Sequence, residues 1–246
     1  MFRIAFVIPV YRHGAALQGV LDRLGVSGLP AIVVDDGNGP ENKRRIVTAV
    51  GHSKNAVLVT REKNGGKGAA VISGIRKAAG LGFTHVFQLD ADGQHDASKI
   101  PRFLELSRLH PDAVVCGCPE YGEDAPGSRV RGRGFANLWL HIVTLSNSVK
   151  DAMVGFRIYP VEPVEEILDG TPRIDRRMGF DIELLVRLFW KNVPILSEPV
   201  KISYPSDGIS NFRMVRDNAR IAGTYARLFF GMIPRLPLLV SKAAKR

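Results

Sequence analysis

A chain of 246 residues with 45% hydrophobic residues is long enough for one large α/β domain, or one domain with an appendage, around a substantial core. Its two cysteines, Cys116 and Cys118 in the apolar run AVVCGC, supply no disulfide framework and read as packing thiols. The net charge of +10 is uneven: residues 211–246 carry eight Lys or Arg against one acid, Asp217, so +7 of it lies there.

The chain opens on FRIAFVI (2–8), an apolar strand that ends at Pro9. It is too short and too β-rich to read as a signal peptide. Residues 14–25 show helical spacing, with Ala16, Leu17, Val20, Leu21 and Leu24 on one side. AIVVDDG (31–37) is a second buried strand with Asp35 and Asp36 at its end; a helix over 41–50 and a third strand, NAVLVT (55–60), follow. A Gly-rich turn leads into a helix over 65–79, then a fourth strand HVFQLDAD (85–92), a helix over 100–109 and a fifth strand over 112–118. This alternation predicts an α/β fold: a Rossmann-like, mostly parallel sheet with helices on both faces. In such sheets ligands bind beyond the carboxyl ends of the strands. Four of those ends carry functional side chains: Tyr11 after Pro9, Asp35 and Asp36, Lys63 through Lys67, and Asp90 and Asp92.

The run FQLDADGQHD (87–96) is the most informative of these ends. Asp90, Asp92, Gln94 and Asp96 occupy every second position, which in an extended segment places them on one face. Crowded carboxylates repel unless a cation lies between them. Two hard carboxylates and an amide carbonyl suit Mg²⁺ or Mn²⁺, which commonly take phosphate oxygens as further ligands. An acidic solvated turn is the plain alternative. An EF-hand loop is excluded, because glycine stands at loop position four and Pro101 at position twelve. Elsewhere, Tyr11 could flank a nucleobase and Asp36 accept from a base or ribose. NGGKG (64–68) opens a helix whose amides could meet an anion, with Lys67 as a phosphate contact or a solvated lysine. It matches neither the P-loop nor the dinucleotide fingerprint.

The tail joins its basic residues to TYARLFFGMIPRLPLLV (224–240), which Arg227, Pro234, Arg235 and Pro237 interrupt before an apolar span of about 20 residues is reached. It reads as a basic amphipathic helical tail drawn to an anionic membrane surface, with a helix packed on the domain as the alternative. Nucleic acid is not expected as a partner, since no stacking-aromatic pattern accompanies the charge. The domain division expected is therefore 1–210 for the α/β domain and 211–246 for the end of a donor loop and the tail.

Taken together and in order, FVIPVYRHG, VVDDGNG, NGGKGAA, LDADGQHD and DAMVGFRIYP resemble the family 2 glycosyltransferases of GT-A fold, over roughly residues 2–215. The nearest likeness within that family is to dolichol- and polyprenyl-phosphate glycosyltransferases. The stretches RGRGFANLWLHIVTLSNSVKDAMVGFRIYP and ISYPSDGISNFRMVRDNARI resemble a bacterial subgroup of aryl-polyene-type lipid pathways. The resemblance implies an inverting transfer from a UDP- or GDP-sugar with Mg²⁺ or Mn²⁺, to a lipid-like acceptor, by a cytoplasmic enzyme peripheral to the membrane. It implies that Pro9, Tyr11, Asp36 and Lys67 hold the nucleoside, that Asp90 lies near donor sugar and metal, and that Asp92 and Gln94 ligate the metal. Asp181, at the start of the helix in MGFDIELLVRL, would be the catalytic base, with Glu183 as fallback and a helix-dipole role as the alternative. YPSDGISNFRMVRDN (204–218) resembles the loop that closes over the donor, with Arg213 on the diphosphate and Asn211 beside it. The oligomeric state is left open, a homo-oligomer included.

One departure bears on the acceptor. Polyprenyl-phosphate enzymes carry Gly-Ser-Arg after the fifth strand, where this chain has Gly117-Cys118-Pro119-Glu120. Arg129, Arg131 and Arg133 could supply the missing charge or form a solvated basic turn. A haloacid-type phosphohydrolase is disfavoured by Gln94 and by the position of Asp-x-Asp after the fourth strand rather than the first. A non-catalytic binding module driven by the tail leaves the acids at the strand ends unexplained.

Overall fold

The computed structural model describes residues 1–120, 127–201 and 211–244, with backbone alone for 127–132 and 244. In chain order the elements are β1 (Ile4–Val10), α1 (Gly14–Gly25), β2 (Ala31–Asp35), α2 (Pro40–His52), β3 (Ala56–Thr60), α3 (Lys67–Gly80) and β4 (His85–Gln88). After a 3-10 turn (Ala97–Lys99) come α4 (Ile100–Leu109), β5 (Val114–Glu120), α5 (Gly127–Thr144), β6 (Arg157–Pro160) and α6 (Val161–Gly170). The remainder is α7 (Phe180–Trp190), β7 (Ile195–Lys201), α8 (Met214–Met232), a second 3-10 turn (Ile233–Arg235) and α9 (Leu236–Ala244). Among the described residues the strands form one seven-stranded sheet in the order β3-β2-β1-β4-β6-β5-β7. Pairing is parallel except at β6, which runs antiparallel to both β4 and β5.

The sheet is covered on both faces, as the alternation predicts. Along β1, Ala5 and Val7 face a core completed by α3, α5, α6, α7 and α8, whereas Phe6, Ile8 and Val10 face a second core completed by α1, α2 and α4. Such period-two partition is what a strand buried on both sides requires.

Two strand ends differ from expectation, and both differences shape the site. β1 continues through Pro9 to Val10. Even-numbered residues of β1 bond toward β2, with Phe6 N donating to Pro30 O and Asp36 N to Val10 O; Val7 O accepts from Leu89 N on the other side. Pro9 therefore lacks its N–H on the side where β4, paired only as far as Val7 with Gln88, has already left the sheet. β4 itself stops at Gln88 rather than Asp92. Gly93, at φ +71°, turns the chain, and the Asp92 carboxylate accepts from Gln94 N at 3.0 Å. The acids of FQLDADGQHD thus lie on a turn, not on one face of an extended strand. Asp96 is engaged by Ser98 N at 2.9 Å as the cap of the 3-10 turn.

The C-terminal helices are joined to the domain. α8 buries Ile221, Tyr225, Leu228 and Met232 against the core that α5 and α7 share, and Tyr225 Oη donates to Ala136 O at 2.8 Å. Burial of a side chain such as Leu228 contributes about 2 kcal/mol. α7 is buried on nearly every side, so its residues Phe180–Leu188 are apolar beyond one helical face. Cys116 is buried in β5, where desolvation pushes its thiol up to about 11, in keeping with a packing role.

Candidate active site

The Gly-rich turn before α3 is organised by Asp36. This buried carboxylate accepts from Gly65 N at 3.0 Å, Gly66 N at 2.9 Å and Arg61 Nε at 2.9 Å. The anion that these amides meet is therefore the protein's own. Gly66 adopts φ +98°, and a Cβ there would lie 2.5 Å from Arg177 Cγ and 2.8 Å from Arg176 O. Only glycine permits both that backbone and that approach.

At the next residue, Lys67 lies between two acids. Its ammonium is 2.8 Å from Asp90 Oδ1 and 2.9 Å from Asp181 Oδ2. Asp181 also accepts from Gln88 Nε2 at 2.8 Å, and Arg157 Nη1 donates to its main-chain oxygen at 2.9 Å. Burial opposes the charge on Lys67, yet Asp181 and Asp90 outweigh it and hold the ammonium above the ordinary lysine range. Burial likewise opposes charge on Asp181, but Lys67, Arg157 and the Gln88 hydrogen bond hold it below the usual carboxylate range. The structure places Asp181, 3% exposed, behind Lys67 and outside the set of residues lining the cleft, where a base for an incoming hydroxyl was expected. Glu183, the fallback, is buried among Arg187, Arg227 and Asp175 N in a separate cluster.

Gly155 completes this arrangement. A Cβ there would lie 2.5 Å from Lys67 Nζ and 2.7 Å from Asp90 Oδ2, so the loop before β6 leaves room for the ion pair only by lacking a side chain.

These groups open into a cleft of about 470 Å³ at the carboxyl ends of β1, β2 and β4. Pro9, Tyr11, Asp36, Lys67, Asp90, Asp92, Gln94 and Arg213 all line it. Its rim is closed by Asn211, whose Nδ2 donates to Tyr11 O at 2.9 Å and so ties the approach to α8 to the end of β1. Residues 204–210 of the expected donor loop lie outside the described residues. Among the described residues no group of three His, Cys, Asp or Glu is gathered to hold a cation alone. Asp90, Asp92 and the Gln94 carbonyl are nevertheless hard oxygen donors on one wall of the cleft. They fit Mg²⁺ or Mn²⁺ provided that a diphosphate and water complete the shell.

Several participants were not legible as site residues beforehand: Gly155, Gln88, Arg157, Arg61 and Arg177, whose Nη1 donates to Asn64 Oδ1 at 3.3 Å. Gln88 and Arg157 are cross-strand partners in β4 and β6, a pairing with no local signal. Arg133, left from the sequence as either a source of positive charge or part of a solvated basic turn, is held by Asp151, with Nε at 2.5 Å and Nη2 at 3.0 Å from its two oxygens. The side chains of Arg129 and Arg131 lie outside the described residues.

Comparison with known proteins adds to this geometry. The profile described as Glycosyl transferase family 2 matches residues 5–168. The undecaprenyl-phosphate mannosyltransferase of Micrococcus luteus is 26% identical over 204 residues, covering 80% of this chain and 82% of that protein. The dolichyl-phosphate beta-glucosyltransferase of Trichomonas vaginalis is 29% identical over 219 residues, covering 80% of this chain and 62% of that one. Among solved structures, glucosyl-3-phosphoglycerate synthase from Mycobacterium tuberculosis, in complex with Mn²⁺, UDP-glucose and phosphoglyceric acid, superposes with a TM-score of 0.68 at 16% identity, covering 93% of this chain and 80% of that one. At that identity the likeness is one of fold, and the sheet is GT-A-like.

Proposed function

We propose that this chain, which belongs to glycosyl transferase family 2, moves a sugar from a nucleoside-diphosphate donor to a lipid-like acceptor at an anionic membrane surface, with inversion at the anomeric carbon. The observation that carries the reading is the convergence on one cleft of Tyr11, Asp36, Lys67, Asp90, Asp92 and Gln94 from separate strand ends and of Arg213 from the start of α8. Tyr11 and the Asp36-ordered loop would seat the nucleoside of a UDP- or GDP-sugar. Asp92 and Gln94, with Asp90, would hold a divalent cation, which when bound supplies Lewis-acid stabilisation of the leaving diphosphate. Arg213 would complete the diphosphate's surroundings. Lys67 would keep Asp90 oriented toward the donor sugar. We assign Asp181 a positioning role through Lys67, because its oxygens are taken by Gln88 and Lys67.

The membrane half of the reading rests on an exposed apolar band. Phe135 and Leu138 of α5, Phe230 of α8, Ile233, and Leu238 and Val240 of α9 are all solvent-facing. Trp139 links the helices through Phe135 and Phe229, each at a ring separation of 6.4 Å. The sequence of 227–246 carries Arg227, Arg235, Lys242, Lys245 and Arg246 and no acid, a charge suited to anionic lipid. No helix among the described residues is long and apolar enough to cross a membrane. On this reading 211–246 works as a membrane-facing addition to the 1–210 domain, and the enzyme acts peripherally on the cytoplasmic side.

The test is thermal stability in the presence of UDP-, GDP- or CMP-sugars with Mn²⁺, Mg²⁺ or EDTA, since a ligand of the folded state raises the melting temperature. One diphosphate nucleotide should raise it, EDTA should abolish the shift, and Asp92→Ala should lose the metal-dependent part. A folded protein that none of these ligands shifts would overturn the proposal.

A further inference from the structure

A second, smaller cavity of about 20 Å³ lies beside the turn that follows β4. Its wall is mostly apolar, with Val20 and Leu24 from α1, Ile100 from α4, and Phe156. Three charged or polar residues interrupt that wall: Arg23, Asp90 and His95. Of the residues lining this cavity, Asp90 alone also lines the main cleft, so it stands between the two spaces.

His95 stacks its ring on Phe156, with centroids 5.2 Å apart and planes at 20°. That contact serves the face of the ring and not its nitrogens. Nδ1 is buried and meets no hydrogen-bond partner among the described residues. A buried polar atom left unpaired costs free energy, and one water is the ordinary remedy where the space is large enough and other polar groups face it. A cavity of this size holds one water molecule. Arg23 supplies a donor at its edge: a Cβ on Gly93 would lie 2.6 Å from Arg23 Nη2, so the guanidinium lies close over the turn.

Asp90 has a use for such a water. Its two oxygens are 2.8 Å and 3.0 Å from the same atom, Lys67 Nζ. A carboxylate held by one ammonium can still rock about it. A second hydrogen bond from another direction fixes the plane of the group and the direction of its lone pairs, which is how the partners of metal-ligating carboxylates act.

We propose that His95 is a positioning residue for Asp90, acting through one water held in this cavity on the side away from the cleft. The water accepts from Arg23 and donates to a carboxylate oxygen of Asp90 and to His95 Nδ1. Nδ1 is then the acceptor, and the ring proton sits on Nε2. The inference rests on the proposed function for what Asp90 faces in the cleft, and deepens it by naming what holds Asp90 there.

The experiment is Mn²⁺ binding to the full chain with saturating UDP or GDP, beside nucleotide binding in EDTA and a melting curve. His95→Phe keeps a ring on Phe156 and removes the nitrogens. It should melt within a few degrees of wild type, bind nucleotide in EDTA as wild type does, and bind Mn²⁺ about tenfold more weakly. His95→Asn returns an acceptor oxygen near the position of Nδ1 and should recover part of the loss. Val20→Ile fills the cavity with His95 intact and should weaken Mn²⁺ in the same direction. A purely structural role would lower the melting temperature and both affinities together. A crystal structure of the wild type should show an ordered water between His95 Nδ1 and Asp90. The proposal is overturned if His95→Phe or Val20→Ile binds Mn²⁺ like wild type, if metal and nucleotide affinities fall in step with stability, or if the cavity is dry. If wild type binds neither nucleotide nor Mn²⁺, the donor reading fails by itself, while the crystal structure still decides whether a water ties His95 to Asp90.

Discussion

The two halves of the sheet contribute to the cleft in different ways. In the β1–β4 half, the candidate side chains lie just past parallel strands, and Asp36 takes its partners, Gly65 and Gly66, from the neighbouring loop. In the β5–β7 half, the antiparallel β6 and the buried α7 place nothing at the cleft surface; Gly155 and Asp181 lie against Lys67 and Asp90 from behind, and Arg157 bonds to the main chain of Asp181. The strand ends of one half face the cleft, whereas β6 and α7 of the other meet Lys67 and Asp90 from behind, and only the loop before α7 and the approach to α8 bring that half to the cleft surface. Ligand contacts and their supports are therefore separable by mutation.

The largest separation is expected at Gly155. An alanine methyl would meet the ends of two flexible side chains, at 2.5 Å from Lys67 Nζ and 2.7 Å from Asp90 Oδ2, rather than backbone. The fold can accommodate that by displacing the ammonium, so Gly155→Ala should melt within a few degrees of wild type. Misplacement of site groups by about 1 Å is enough for a loss of roughly 100-fold in turnover. Steady-state rates alongside a melting curve check this. Full turnover with an unchanged melting point would show that the Lys67–Asp90 pair does not matter to the chemistry.

A smaller effect, about 10- to 100-fold in turnover, is expected for Asp181→Asn, which keeps an acceptor for Gln88 and removes the charge facing Lys67. Nucleotide binding should persist. Because Asp181 is held below the usual carboxylate range, its contribution to stability is complete above pH of about 4 and is lost as pH falls through its lower folded value. Lys67 is held above the ordinary lysine range, so its contribution is complete below pH of about 10 and fades as pH rises through the folded value. The stability difference between wild type and Asp181→Asn should be flat across neutral pH and shrink in acid, as read from urea midpoints, and again in strong alkali as Lys67 loses its proton. A group acting as the base would give the wild-type rate profile an acid limb that this variant lacks. Finding that limb would replace the positioning role with general-base catalysis.

The same contrast explains what was readable from sequence. The α/β alternation, the cleft at the strand ends and the residues lining it depend on local patterns: apolar runs of strand length, helical spacing, and the motifs NGGKG and DADGQ. The β6 strand is four residues long and contains a fully buried arginine, which local hydropathy marks as unsuitable for a core. Arg157 is tolerated there because it reaches Asp181 O and Tyr159 Oη, partners on α7 and its own strand that are determined only in three dimensions. α5 went unrecognised because its first half, GSRVRGRG, reads as a basic turn. The spacing of Asp90, Asp92 and Gln94 drew attention to the right residues through an extended geometry that Gly93 and the Asp92 turn replace. Asp181 was visible as an acid at a helix start, but its enclosure by Gln88, Lys67 and Arg157 was not.

The smallest effect on stability, and the clearest on location, is expected within α8, where the two roles lie two residues apart. Leu228 is fully buried against α5 and α7, whereas Phe230 is 68% exposed on the apolar band. Removing residues 224–246 as a block would delete Tyr225, Leu228 and Met232 from the core, so any loss of vesicle binding would be confounded with unfolding. Phe230→Ser avoids that difficulty. A surface substitution of this kind stays within about 0.5 kcal/mol of wild-type stability. If Phe230 enters the headgroup region of a bilayer, its loss should weaken binding to anionic vesicles roughly tenfold, the scale set by burial of one aromatic side chain. Co-sedimentation with phosphatidylserine-containing vesicles measures this at fixed salt, and vesicles of neutral lipid separate the apolar contribution from that of the surrounding Arg and Lys. Wild-type sedimentation by Phe230→Ser would move the membrane contact off α8, and a large drop in melting temperature would mean that Phe230 belongs with Leu228 to the core.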